Sequence, residues 1–243
     1  MKIISEKHPE TELKTMEAWK EAFVDIDGDP GHWRDGFSAC SLAKYFLGDA
    51  RKAESTIKET LNRLLGDDPV ESLDEGIVEH ECPFDDYGKP RRQDIGVFGK
   101  TKGGKRLYVG IEAKVNEPFD KTIGEKLEDA ERALRENPRS NSGNRIKELC
   151  EWFGVSENDE KIQSLRYQLF HFAKATANID ADICVLLVLT FETTESDAEK
   201  QAKNAADWNE FASNFFDEVP GGYRLKPGIA AKPVYAATMT EKP

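Results

Sequence analysis

Alternation of apolar and polar positions is clearest over residues 108–115. The apolar side chains there are Val109, Ile111 and Ala113, and Glu112 and Lys114 occupy intervening positions. Because successive side chains of a strand point to opposite faces, the pattern predicts a β-strand with one apolar face. We expect that face to pack inward and the Glu112 and Lys114 side chains to face a cleft.

A second strand is predicted over residues 93–98, joined to the first by a hairpin through Gly103. Opposed residues of an antiparallel pair have numbers with a constant sum, and their side chains share a face. Asp94 lies opposite Glu112 only if the loop is centred on Gly103, with an odd length, or contains a bulge. A two-residue turn would place Asp94 opposite Ala113, so we predict the odd loop or a bulge.

Two further strands complete the predicted sheet. Residues 77–82 alternate, which puts Glu79 and Glu81 on one face and Val78, His80 and Cys82 on the other. Residues 181–191 form a continuous apolar run, which is typical of a strand covered on both faces in the middle of a mixed sheet. The tail, residues 223–239, is predicted to add one or two edge strands.

Helical periodicity surrounds these strands. The predicted helices cover residues 10–24, 41–46, 50–65, 145–153, 157–177 and 205–216. An acidic stretch at residues 25–30 is predicted to be a solvated turn, because its glycine spacing does not fit a calcium-binding EF-hand loop. The pattern predicts an α/β protein with an N-terminal helical part, residues 1–70, packed on a core, residues 71–243, in one compact domain.

Composition restricts the class of protein. The chain has 243 residues and a net charge of −12, which argues against a protein that coats nucleic acid over its whole surface. No apolar run is long enough to span a bilayer, and no apolar signal segment opens the sequence, so we expect a cytoplasmic protein without a membrane partner. The four cysteines are far apart, which favours reduced packing residues.

Positive charge is concentrated near the hairpin. Residues 89–106 contain seven basic side chains and one acid, Asp94, for a net charge of +6. Arg91, Arg92, Lys100 and Lys102 are therefore candidate contacts for nucleic-acid phosphates.

The predicted pair of Asp94 and Glu112 has the chemistry of a magnesium site. Mg²⁺ prefers carboxylate oxygens and keeps several waters, so two carboxylates and a substrate phosphate complete its shell. The backbone carbonyl of Ala113 is a further candidate ligand. Lys114, on the same strand face, is positioned to orient or deprotonate an attacking water, or to offset charge in the transition state.

Asp94 followed eighteen positions later by Glu112, Ala113 and Lys114 resembles the signature of the PD-(D/E)XK, or restriction-endonuclease-like, nuclease superfamily. The predicted order of helix, three-stranded meander, helix and buried strand also fits its common core. Segments at residues 33–43, 112–119 and 165–169 resemble a group of uncharacterised bacterial proteins within it. Gln93 departs from the pattern, since the superfamily's name has proline before the aspartate.

The resemblance implies a restriction-endonuclease-like mixed sheet and a Mg²⁺-dependent nuclease, with Mn²⁺ as a substitute metal. It implies that Gln168, on the following helix, approaches the site, with Arg166 near the nucleic acid. DNA is favoured over RNA and endonuclease over exonuclease action, in bacterial defence, repair or a mobile element. The upstream acid of the superfamily is left open among Glu59, Glu79 and Glu81, with Glu81 preferred as a metal ligand.

Two other readings stay open. A catalytically inactive binding or regulatory protein of the same fold would bind no metal and would turn Lys114 away from Asp94 and Glu112. A protein whose acidic surface mimics DNA would bind a basic partner protein. The sequence also leaves open whether the chain forms a homodimer or binds a partner protein.

Overall fold

The computed structural model describes residues 1–27, 31, 33–87 and 90–243. Over these residues the strands are β1 (Lys2–Ser5), β2 (His8–Glu12), β3 (Val70–Cys82), β4 (Arg91–Thr101), β5 (Arg106–Lys114), β6 (Ile183–Phe191), β7 (Phe216–Val219), β8 (Gly222–Leu225) and β9 (Val234–Glu241). They form one nine-stranded mixed sheet in the order β2-β1-β3-β4-β5-β6-β9-β8-β7. The predicted α/β class is therefore confirmed.

Helices cover both faces of this sheet. They are α1 (Met16–Asp27), α2 (Ser38–Gly48), α3 (Ala50–Leu65), α4 (Ile123–Glu136), α5 (Ser142–Trp152), α6 (Glu160–Ser164), α7 (Tyr167–Asn178) and α8 (Ala198–Phe215). Side chains of α1 to α3, such as Trp19 and Leu61, form one apolar cluster with Val109 and Ile111 of β5. Helices α4 to α8 form the other cluster, which includes Tyr108 of the same strand.

Strand β6 occupies the middle of the sheet, as its continuous apolar run predicted. It pairs in parallel with β5 on one side and with β9 on the other. Val185 and Leu187 pack in the cluster of α1 to α3, whereas Cys184 and Leu186 pack in the opposite cluster. Strand β9 is therefore internal, as is β8, and the prediction that residues 223–239 add edge strands is wrong, because the edge strand β7 precedes them in the sequence.

The hairpin between β4 and β5 has the predicted register. Ile95 lies opposite Ile111 and Lys100 opposite Arg106, so opposed residues sum to 206. Thr101 N–H donates to the carbonyl of Lys105 at 3.0 Å, which closes a loop centred on Gly103. The expectation of an odd loop that brings Asp94 to the end of β5 beside Glu112 is confirmed.

The predicted alternation of β3 is wrong beyond Val78. Val78 packs in the cluster of α1 to α3, but Cys82 packs in the opposite cluster, although the two are an even number of residues apart. The cause is Glu79, whose φ of 52° lies in the left-handed region and rotates the following side chains to the other face. Val78 pairs with Ile95 and His80 with Gln93, so Glu79 and Asp94 lie across from each other at this switch.

Tertiary pairing also divides the helix predicted over residues 157–177. Leu165 and Arg166 are extended between α6 and α7. Ile123 N–H donates to the Leu165 carbonyl at 2.9 Å, and Tyr167 N–H donates to the Lys121 carbonyl at 3.1 Å. These backbone bonds to the start of α4 replace helical ones, which the apolar periodicity alone does not reveal.

The N-terminal part was predicted to be helical, but it also contains the strands β1 and β2. Strand β1 pairs in parallel with β3, and β2 continues the sheet at its edge, so the first helix begins at Met16 rather than at residue 10. Of the acidic turn predicted at residues 25–30, residues 25–27 end α1 and residues 28–30 lie outside the described part of the chain. Across the described residues no helix has the length and apolarity needed to cross a bilayer.

Candidate active site

A cavity of about 740 Å³ opens where β3 and β5 end and β4 begins, at the opposite end of these strands from the hairpin loop. Its walls are formed by strand ends, by the first turn of α2 and by α7. The lining side chains include Glu79, Glu81, Arg91, Arg92, Asp94, Glu112, Lys114, Glu117 and Gln168. The structure thus brings together Asp94, Glu112, Lys114 and Gln168, the residues that the sequence predicted to be catalytic.

Glu112 is the most enclosed group of the site, with a side chain only 2% exposed. Its Oε1 accepts hydrogen bonds from Lys114 Nζ at 2.8 Å and from Gln168 Nε2 at 2.6 Å. Its Oε2 accepts from an Nη of Arg91 at 3.2 Å. Burial acts to raise the pKa of Glu112, but the positive charges of Lys114 and Arg91 outweigh it, and the pKa is below its ordinary value.

Asp94 differs from Glu112 because no Lys or Arg side chain among the described residues forms an ion pair with its carboxylate. The pairing of β4 with β5 ends at Ile95, and beyond it Asp94 Oδ2 accepts the backbone N–H of Ala113 at 2.6 Å. Burial, followed by the charge of Glu112, raises the pKa of Asp94 to about 7. Because the charge of Glu112 disfavours ionisation of Asp94, a cation bound by both carboxylates would stabilise the ionised form of Asp94.

Lys114 and Gln168 are positioned by their surroundings as well as by Glu112. Lys114 Nζ lies 3.3 Å from Gln168 Oε1 and 5.1 Å from the centre of the Phe119 ring. Gln168 is in the first turn of α7, and its amide joins this helix to β5 through both Lys114 and Glu112. The ammonium group is therefore fixed at the cavity wall with a side chain 7% exposed.

A buried hydrogen-bond network lies behind the site, and the sequence analysis missed it. Tyr108 hydroxyl donates to Gln93 Oε1 at 2.6 Å, and Gln93 Nε2 donates to Thr176 Oγ1 of α7 at 2.8 Å. Gly110 makes room for this network, because a Cβ there would lie 2.8 Å from Thr176 Oγ1 and closer still to Gln93 Oε1. Glycine opposite glycine in the hairpin, at Gly96 and Gly110, was the available signal.

The basic residues near the hairpin divide into two groups. Arg91 and Arg92 line the cavity. Lys100 and Lys102 are at the hairpin end of β4, six or more residues from Asp94, which corresponds to roughly 20 Å along an extended strand. The structure therefore does not bring Lys100 and Lys102 to the site, because nearness in a hairpin sequence is not nearness along the strand.

Arg166 also makes its hydrogen bonds outside the cavity. Its Nε donates to Asp207 Oδ2 of α8 at 2.8 Å, and one Nη donates to the Asp120 carbonyl at 3.0 Å. Its side chain is 13% exposed and does not line the cavity. Arg166 thus joins the start of α7 to α8 in this structure.

The three candidates for the upstream acidic residue of the site lie in different places. Glu79 and Glu81 line the cavity, whereas Glu59 belongs to α3 and accepts a hydrogen bond from Ser55. Glu81 forms an ion pair with Arg92 at 3.1 Å, and Glu79 lies across from Asp94 at the face switch. Glu117, which the sequence analysis did not single out, also lines the cavity and accepts the N–H of Ser38 at the start of α2.

The donors that face the cavity are hard oxygen ligands, the type preferred by Mg²⁺ and Mn²⁺. Asp94 and Glu112 could hold such an ion together with waters and a substrate phosphate. Within the described residues no group of three or more His, Cys, Asp or Glu side chains is arranged to hold a metal ion. Two carboxylates beside an open cavity suit a hydrated Mg²⁺, because this ion keeps several waters and needs few protein ligands.

Sequence comparison adds a family assignment. A family model described as a domain of unknown function, DUF6946, matches residues 12–240. The chain belongs to the DUF6946 family. This match includes every residue that lines the cavity, so the site is part of the DUF6946 domain. No curated protein and no solved structure matches the chain.

Proposed function

We propose that this DUF6946 protein is a Mg²⁺-dependent nuclease of the PD-(D/E)XK type that hydrolyses phosphodiester bonds, with DNA favoured as substrate. The observation that carries the proposal is the contact of Lys114 Nζ with Glu112 Oε1 at 2.8 Å, beside Asp94. The ammonium group is held at the cavity wall with a side chain 7% exposed, which is a position from which it can orient an attacking water.

The order of elements supports the same proposal. Strands β3, β4 and β5 are consecutive and antiparallel, and β6 follows after the helices α4 to α7 and pairs in parallel with β5. This is the succession expected for a restriction-endonuclease-like core. Gln168, near the start of α7, is where that resemblance places a polar residue of the following helix.

Each side chain has a role in the proposed reaction. Asp94 and Glu112 would hold Mg²⁺, which when bound offsets charge on the phosphate and lowers the pKa of a bound water. Lys114 orients the attacking water and stabilises developing negative charge from its fixed position. Gln168 positions Lys114 and Glu112 relative to each other through its amide.

Plasmid cleavage in Mg²⁺ or Mn²⁺ tests the proposal. Wild type should cut. Lys114→Ala should lose about 10²- to 10⁴-fold in rate, the range for removal of a group that acts on the transferred proton. Asp94→Asn should also lose rate, because it removes a carboxylate that would hold the metal. Lys147→Ala, on the exposed outer side of α5, is a matched control and should cut like wild type. Equal rates for all four proteins would show that these residues do not carry out cleavage.

A second candidate, a nuclease-fold binding or regulatory protein, is favoured by one observation. Both oxygens of Glu112 are already occupied by donors from the chain itself. Calorimetry with Mn²⁺ distinguishes the two candidates, since the regulatory protein should bind no metal and the nuclease should bind it in a manner that depends on Asp94.

A further inference from the structure

Arg91 completes the set of contacts around Glu112. Lys114 and Gln168 share Oε1, and Arg91 alone contacts Oε2 among the described residues. The Arg91 side chain is 25% exposed and borders the cavity, whereas its partner is 2% exposed. The one oxygen of Glu112 that Lys114 and Gln168 leave available is thus covered from the cavity side by a guanidinium group.

Once Asp94 is ionised, the charges of these four side chains balance without any metal. Asp94 and Glu112 supply two acids, and Lys114 and Arg91 supply two cations. A buried carboxylate needs a counterion, because an unpaired charge in a protein interior is strongly destabilising. A divalent cation between Asp94 and Glu112 would add two positive charges, and one of the existing cations would then be in excess.

Three observations indicate that Arg91, rather than Lys114, is the cation that a bound metal ion would displace from Glu112. Its contact with Glu112, at 3.2 Å, is longer than that of Lys114, at 2.8 Å. Lys114 is further held by Gln168 and lies near the Phe119 ring, whereas Arg91 Nε has no hydrogen-bond partner within the described part of the chain. Arg91 also begins β4, beyond the point where that strand pairs with β5.

We propose that Arg91 is an internal counterion that holds Glu112 in the metal-free protein and that a divalent cation displaces from Oε2. The inference rests on the proposed nuclease function and adds to it a competition between a residue of the chain and the metal. Arg91 would then set the metal affinity of the site. Its released guanidinium would remain at the cavity wall, where the substrate phosphate must enter.

Calorimetric titration with Mn²⁺ tests the proposal on three proteins: wild type, Arg91→Gln and Arg135→Gln. Arg91→Gln should bind Mn²⁺ about 5- to 150-fold more tightly than wild type, the range typical of coupling between two binding events. Arg135→Gln removes the same charge from α4, where the Arg135 side chain is 68% exposed and does not line the cavity. Its affinity should stay within about twofold of wild type, since screening weakens more distant charges.

The outcomes separate this proposal from the nuclease function. If wild type binds Mn²⁺ and Arg91→Gln binds it no more tightly than Arg135→Gln does, the counterion proposal is wrong and the metal site stands. If none of the three binds Mn²⁺, the metal-dependent function fails as well. A crystal structure of the wild type with Mn²⁺ provides a measurement that needs no variant. The contact between Arg91 and Glu112 Oε2 should be broken there, and its persistence would overturn the proposal.

Discussion

Replacing Asp94 by asparagine should stabilise the metal-free protein, and increasingly so as the pH rises. The pKa of Asp94 is raised from 3.8 to about 7 by burial and by the charge of Glu112. The folded protein therefore binds a proton at Asp94 that the unfolded chain releases at lower pH. For an acid with a raised pKa, stability is lost as the pH rises from about 4 to about 7 and stays constant above that.

The size of the effect follows from the shift. Each pKa unit corresponds to about 1.4 kcal/mol, so a shift of about three units costs about 4 kcal/mol once Asp94 is fully ionised in the folded state. Roughly 3 kcal/mol of this falls between pH 5 and pH 8.5. Asp94 is half-buried at the cavity, so solvent screening reduces the cost of its charge. We therefore expect the stability gain of Asp94→Asn over wild type to grow by about 1 to 3 kcal/mol between the two pH values. Asparagine keeps an oxygen for the Ala113 N–H but carries no charge.

Urea denaturation in the presence of a chelator measures this difference at the two pH values. The free energy of unfolding of Asp94→Asn minus that of wild type should be larger at pH 8.5 than at pH 5. Asp182→Asn is the control, because its hydrogen bond with Arg106 lowers the pKa of Asp182, which then titrates below both pH values. Its difference from wild type should be the same at pH 5 and pH 8.5. A difference for Asp94→Asn that does not grow with pH would refute the assignment of a buried, repelled carboxylate.

Substitutions at Glu79 and at Gly110, each compared with a control variant, test how the backbone shapes the site. Glu79→Val should cost about 1 to 2 kcal/mol more than Glu79→Gly in thermal denaturation, because a β-branched residue is strained at a φ of 52°, and equal stabilities would contradict a left-handed conformation there. Gly110→Ala should cost about 1 to 3 kcal/mol because the new methyl group would overlap Gln93 and Thr176. Gly143→Ala, at an open position of α5, should instead be neutral or stabilising, and equal effects at the two glycines would contradict the tight packing at Gly110.

Local pattern was sufficient for the central strands. The alternation of β5 and the apolar run of β6 follow from side-chain chemistry alone, because strand faces repeat every two residues. The hairpin register was also predictable, since a loop centred on Gly103 fixes which residues of β4 and β5 are opposed. The helix over residues 50–65 was predicted with the bounds of α3, because its apolar stripe is regular.

Long-range contacts determine the features that local sequence patterns did not predict. The extended break between α6 and α7 depends on backbone bonds to residues 121–123, more than 40 positions earlier. Strand β1 has only four residues, and β2 is wholly exposed, so neither carries an apolar alternation long enough to distinguish it from a loop.

The site itself combines the two kinds of information. The sequence by itself determined that Asp94, Glu112 and Lys114 would meet at the ends of neighbouring strands, because alternation and hairpin register are local rules. Only the tertiary structure decided that Glu79 reverses the face of β3 and that Arg91 covers Glu112, while Lys100 and Lys102 remain at the hairpin end. These depend on a backbone torsion, on a side-chain conformation and on distance along an extended strand, none of which is encoded in residue spacing.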